Sequence, residues 1–145
     1  MQTVQFIHSY WAYVVLLVLI LSTVNAVIKF FADKDFDPKD FRISLFTLIC
    51  MHIMLLIGIV LFFSKGYIGI IGEEGIGEII KNSALRNLII EHPLSMIIAT
   101  AFVTIGYSKH KKKLVSRPKF KMLAIFYTLA LILVIAKIPW YLWLT

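Results

Sequence analysis

Charge is scarce in this chain, and acid scarcer still. Of its 145 residues only 16% are charged, with 15 Lys and Arg against 8 Asp and Glu. A soluble domain carries nearer a quarter of its residues as charges, so this is not the composition of a water-exposed globule. The one cysteine, Cys50, rules out an intrachain disulfide and reads as a small buried hydrophobe. The glycines at 66, 69, 72, 75 and 77 follow no strand, so they make no phosphate-binding fingerprint. Asp33-x-Asp35-x-Asp37 opens like a calcium loop, but Pro38 replaces the required glycine and Ser44 stands where the bidentate glutamate belongs. That segment reads as a solvated loop. No spacing of Ser, His and Asp or Glu supports a hydrolase triad.

What the chain has instead is apolar length. Hydrophobic residues make up 60% of it and the mean hydropathy is +0.88, and they gather into long blocks with the charges swept between them. A bilayer-crossing helix takes about 20 mostly apolar residues. Four stretches qualify: Val4–Ile28, Ile43–Phe63, Leu88–Tyr107 and Met122–Leu144. Nothing positive precedes the first and no small-x-small site follows it, so it reads as a retained helix rather than a signal peptide. The expected fold is all-α: one domain, residues 1–145, forming an up-down-up-down four-helix transmembrane bundle. Short loops join helices one to two and three to four, which favours antiparallel neighbours.

Charge placement predicts the topology. The loop from Ser108 to Lys121 holds Lys109, Lys111, Lys112, Lys113, Arg117, Lys119 and Lys121 with no acid. The loop from Lys29 to Arg42 lies on the same side. The other side sets Lys65, Lys81 and Arg86 against Glu73, Glu74, Glu78 and Glu91. The positive-inside rule then makes the basic loops cytoplasmic and both termini non-cytoplasmic in a bacterial inner membrane. Tyr10, Trp11, Tyr13, Trp140, Tyr141 and Trp143 are expected to form an aromatic belt at the outer interface. The basic run abuts two spans and lacks stacking aromatics beyond Phe120, so it reads as a topology determinant near anionic lipid and not as a nucleic-acid surface. Between spans two and three, a helix around Glu78–Arg86 with Ile79, Ile80, Leu85 and Leu88 on one face is expected to lie at the interface. Pro93 predicts a kink or restart at Glu91–Pro93.

The histidines are the chemical candidates. His8, His52 and His92 lie within or at the edge of spans, where ionisable groups are costly and mark functional sites. His110, in the basic loop, reads as solvated. His8 and His92 sit near the outer ends of diagonal helices, whereas His52 falls about 16 Å from the end of its span. A bis-histidine haem needs two imidazoles at one depth, which fits His8 with His92; tilt would instead match His92 with His52. Three histidines can hold zinc or copper, but the unequal depths argue against it. Lys137, on the outer quarter of the last span, and Arg86 would suit haem propionates. Equally, Lys137 can snorkel and Arg86 can pair with Glu91.

The strings FIHSYWAY, HIMLLIGIVLFF, LRNLIIEHPLSM and KIPW, with IGYSKHKKK and FKMLAIFYTL, resemble small four-span cytochrome b-like membrane proteins of Bacteroidetes-type bacteria. The resemblance covers nearly the whole chain. It places His8, His52 and the Glu91–His92 pair at that family's recurrent positions and implies haem b. There is no C-x-x-C-H for covalent attachment. Two functions stay open. One is a b-type cytochrome moving electrons within the membrane, to or from quinone, with His52 free to bond a quinone or a propionate. The other is a non-catalytic accessory subunit of a larger membrane complex, or a homo-oligomer, with no cofactor of its own. A proton relay or transporter is disfavoured by the lack of an internal repeat.

Overall fold

The computed structural model describes residues 2–143, and every regular element among them is helical. In chain order these are α1 (Gln2–Phe31), α2 (Pro38–Ser64), α3 (Tyr67–Glu74), α4 (Ile76–Lys81), α5 (Ser83–Arg86), a π-helical turn (Asn87–Glu91), α6 (His92–Lys111), α7 (Ser116–Lys137) and α8 (Trp140–Trp143). Four continuous helical runs are long and apolar enough to cross a membrane: α1, α2, residues Ser83–Lys111 and α7. The helices are expected in a bilayer because each satisfies its own backbone hydrogen bonds. α1 packs on α2 and α7, and α6 packs on α7 and α2. So α1 and α6 face each other across a diagonal.

The interior is closed by small and aromatic groups. Tyr127 is fully buried, and its hydroxyl donates to the Ser44 carbonyl at 2.8 Å, crossing the bundle from α7 to α2. At Gly106 an added Cβ would stand 2.6 Å from Phe126 Cβ, so α6 and α7 approach more closely than any other residue type permits. Outward-facing Leu17, Leu21, Leu56, Ile97 and Ile132 remain exposed, as suits a surface bathed in lipid.

One end carries the two short basic loops. Asp37 caps α2, accepting from the Lys39 and Asp40 amides, and Asp40 reciprocates on the Asp37 amide. Asp40 is 2% exposed and also accepts from Asn25 at 2.7 Å and Lys29 at 2.9 Å. Two acids of the loop that reads as solvated therefore tie α1 to α2. Desolvation pushes the Asp37 carboxyl up, but the Lys39 and Asp40 amides and the Lys29 ammonium outweigh it and hold it below the usual carboxylate range. This contribution is present above the unfolded pKa and is lost as pH falls through the folded value.

Several expectations are corrected here. His110 is not in the loop: it lies in the last turn of α6, wholly buried among Phe36, Phe41 and Tyr107, with ring centroids 5.5, 6.2 and 5.0 Å away. The last span stops at Lys137, because Pro139 cannot continue it and forces Ile138 to an extended ψ of 133°. Lys137 is thus the final helical residue and not an interior one; Leu144, the expected end, lies outside the described residues. Trp11, expected in the aromatic belt, turns its indole inward and donates to the Cys50 carbonyl at 3.1 Å beside the core. The single helix expected around Glu78–Arg86 is divided at Asn82 into α4 and α5, with α3 ahead of them and Ile79 fully buried.

Gly106→Ala is expected to destabilise the bundle by about 1–3 kcal/mol, the usual cost of overpacking. Thermal unfolding in mild detergent checks this, with Gly58→Ala as a comparison whose added Cβ meets only ordinary contacts.

Candidate functional site

At the end that carries the termini, a proline on each of two helices creates the site. Because α7 stops before Pro139, the carbonyl of Lys137 is one of the orphan acceptors at a helix C-terminus. His92 answers it: Nδ1 lies 3.0 Å from that oxygen. A carbonyl only accepts, so Nδ1 carries the proton and Nε2 keeps its lone pair. Pro93, at the start of α6, lacks the amide that would bond one turn back. The chain accommodates it by widening into the π turn at Asn87–Glu91, a feature that often marks functional sites.

The π turn also explains an ion cluster. A spacing of five residues brings Arg86 beside Glu91, with Arg86 Nε 2.7 Å from the carboxylate. The second carboxylate oxygen takes the Lys137 ammonium at 2.9 Å. Arg86 Nη1 further donates to the Ile80 carbonyl at 2.7 Å, tying α4 down over the cluster. Lys137 therefore holds the Glu91–His92 pair twice, through its ammonium and through its carbonyl. Of the roles open to the two cations, pairing with Glu91 is the one on view, and it leaves the cluster with one net positive charge.

Across the diagonal, α1 supplies His8. The His8 and His92 ring centroids are 6.2 Å apart, at an interplanar angle of 74°. Both side chains are half-buried. His8 Nδ1 is buried without a hydrogen-bond partner among the described residues. Gly58 of α2 backs this ring: an added Cβ would meet His8 Cε1 at 3.5 Å. His8, Gly58, His92 and Lys137 thus come from four helices to one level of the bundle.

His52 is not among them. It lies on the exposed side of α2, six positions before Gly58 or about 9 Å along the helix, with Nδ1 2.8 Å from the Leu48 carbonyl. Among the described residues no three His, Cys, Asp or Glu side chains are placed to hold a metal ion together. Two imidazoles, not three, face each other.

The 6.2 Å between the two ring centroids is close to what two imidazoles on opposite sides of one metal would require. Imidazole nitrogens bind metals at about 2 Å, which puts ring centres on opposite sides of one metal about 6 Å apart. The ring of His92 is fixed through Nδ1 in the way a ligating histidine usually is, by a backbone carbonyl behind it. Compared with protein-family models, curated proteins and solved structures, the chain matches none.

Glu91→Ala strands two cations at once and removes one of the ties to the end of α7, so the melting temperature in detergent should fall. Lys137→Met should lower it as well. The double variant should fall by less than the two losses summed, because each single change leaves the same pair broken. Additive losses would mean that the ion pair contributes nothing.

Proposed function

We propose that the chain is a small b-type cytochrome of the membrane, in which His8 and His92 hold one haem b and electrons pass to or from a membrane quinone. The juxtaposition of these two imidazoles carries the reading: 6.2 Å between centroids, from diagonally opposed helices, with His92 Nε2 and a His8 nitrogen unengaged. A bound haem b supplies one-electron chemistry, its iron alternating between ferric and ferrous. The chain's own residues orient and insulate. The Lys137 carbonyl fixes the His92 tautomer, α2 at Gly58 backs the His8 ring, and the net positive charge of Arg86, Glu91 and Lys137 suits an anionic propionate.

The resemblance to cytochrome b-like four-span proteins implies His8 and the Glu91–His92 pair, and also His52, which lies apart from them. FIHSYWAY carries His8, HIMLLIGIVLFF carries His52, and LRNLIIEHPLSM carries Glu91 and His92; Gly58, Arg86 and Lys137 lie in the same strings and in KIPW. These strings lie far apart in the chain and meet at one level of the bundle.

A second reading has its own observation. Glu91 already answers both Arg86 and Lys137 inside the chain, so the cluster can act purely as a staple in a cofactor-free accessory subunit. Haem content separates the two. Purified from cells supplied with haem precursor, the wild type and His52→Ala should carry about one haem per chain by extraction assay, while His8→Ala and His92→Ala lose it. Equal haem in all four proteins would remove the assignment.

The setting we infer is a bacterial inner membrane with both termini outside, on the charge asymmetry of the loops. A cysteine placed in the Lys109–Lys121 segment of a Cys50→Ser chain should resist an impermeant thiol reagent in intact cells and react after lysis. Labelling in intact cells would invert the topology.

A further inference from the structure

His52 is a polar side chain in a membrane-facing stripe. It sits near the middle of α2 (Pro38–Ser64), among exposed Ile49, Ile53 and Leu56, and across the seam from exposed Ile105 of α6. Its hydrogen bonding fixes what it can offer. Nδ1 lies 2.8 Å from the Leu48 carbonyl; that oxygen only accepts, so Nδ1 carries the proton and Nε2 presents a lone pair. The nearest polar neighbour of Nε2 is the Thr104 hydroxyl at 3.4 Å. The single hydrogen of that hydroxyl is engaged with the Thr100 carbonyl at 2.8 Å. The 2.8 Å bond takes that hydrogen in preference to the 3.4 Å contact, so Nε2 and the Thr104 oxygen stand side by side with acceptor capacity to spare.

The geometry points to the α2–α6 seam at His52 and Thr104 as a binding site for a membrane-dissolved quinol, whose phenolic hydroxyl donates to His52 Nε2. The depth selects this class. Phospholipid phosphates stay at the interface, half a hydrocarbon core or roughly 15 Å away, whereas a quinol head dissolves in the core and brings the missing donor with it. The two acceptors select the reduced form, since the carbonyl oxygens of a quinone offer no proton. A second copy of the chain is a poor occupant: a two-fold axis through this seam would set His52 Nε2 against its own copy, acceptor against acceptor. The apolar stripe of Ile49, Ile53, Leu56 and Ile105 gives the ring and tail a surface to lie on. The site deepens the electron-carrier reading and rests on it for its redox meaning, while the binding itself needs no haem.

The test is a titration of the purified protein in nanodiscs of neutral phospholipid with heptyl hydroxyquinoline N-oxide, a fluorescent quinol analogue that carries an O–H donor. Saturable quenching at about one molecule per chain is expected. His52→Phe should weaken it roughly tenfold, the worth of one hydrogen bond to a poorly solvated acceptor. His52→Gln, whose amide oxygen can accept, should recover part of it. His52 is exposed, so these variants should keep the wild-type melting temperature. Non-saturable quenching, or equal affinity in His52→Phe, overturns the proposal. A dimer that falls apart in His52→Phe overturns it in favour of a second copy. His8→Ala with His92→Ala tests the haem reading separately: binding kept with haem lost leaves the quinol site standing and the cytochrome reading in need of other ligands.

Discussion

The end of α7 at Lys137 is the constraint on which the site depends. Pro139 cannot extend the helix, so the Lys137 carbonyl is left without an intrahelical donor and His92 Nδ1 takes it at 3.0 Å. The same residue sends its ammonium to Glu91 at 2.9 Å. One terminal residue thereby sets the depth and rotation of the start of α6, and fixes which nitrogen of His92 faces the bundle. Had α7 run on as an unbroken helix, that carbonyl would have been satisfied within it, and the His92 ring would lack its anchor.

The remainder of the bundle holds that level in place from below. Tyr127 crosses from α7 to Ser44, Gly106 lets α6 close onto α7, and His110 is encased by rings at the opposite end. Asp40 locks α1 to α2 through Asn25 and Lys29, and α1 in turn carries His8. The two ends thus divide the labour: a packed, ion-tied base where the basic loops lie, and a level at the other end where His8 and His92 come within 6.2 Å of each other. His52 lies between the two ends, on the outer surface.

The four spans were legible because their signal is composition over length, which tertiary contacts do not override. The diagonal placement of His8 and His92 followed from antiparallel order and from counting residues to the ends of spans. Contacts were not legible. Nothing in Lys109-His110-Lys111 distinguishes a solvated histidine from one that α6 turns inward onto Phe36 and Phe41. The period of charges around Asp33–Asp40 looks like a loop, although Asp37 and Asp40 form a capping box that could have been read from Asp-Pro-Lys-Asp. The Arg86–Glu91 pair was among the readings the sequence offered, but not the π turn that lets residues five apart meet. Pro93 signalled the disturbance without saying what form it would take. Lys137 read as interior because Ile138 and the apolar residues after it continue the hydropathy of the span past the proline.

The most direct test is a dithionite-reduced minus air-oxidised optical spectrum of the full chain, purified in mild detergent from cells grown with ample haem. A sharp α-band with a shifted Soret peak is the expected result, the signature of a six-coordinate b-type haem held by two imidazoles. A flat spectrum would contradict the cytochrome account and leave His92, Glu91 and Lys137 as a staple between α6 and α7.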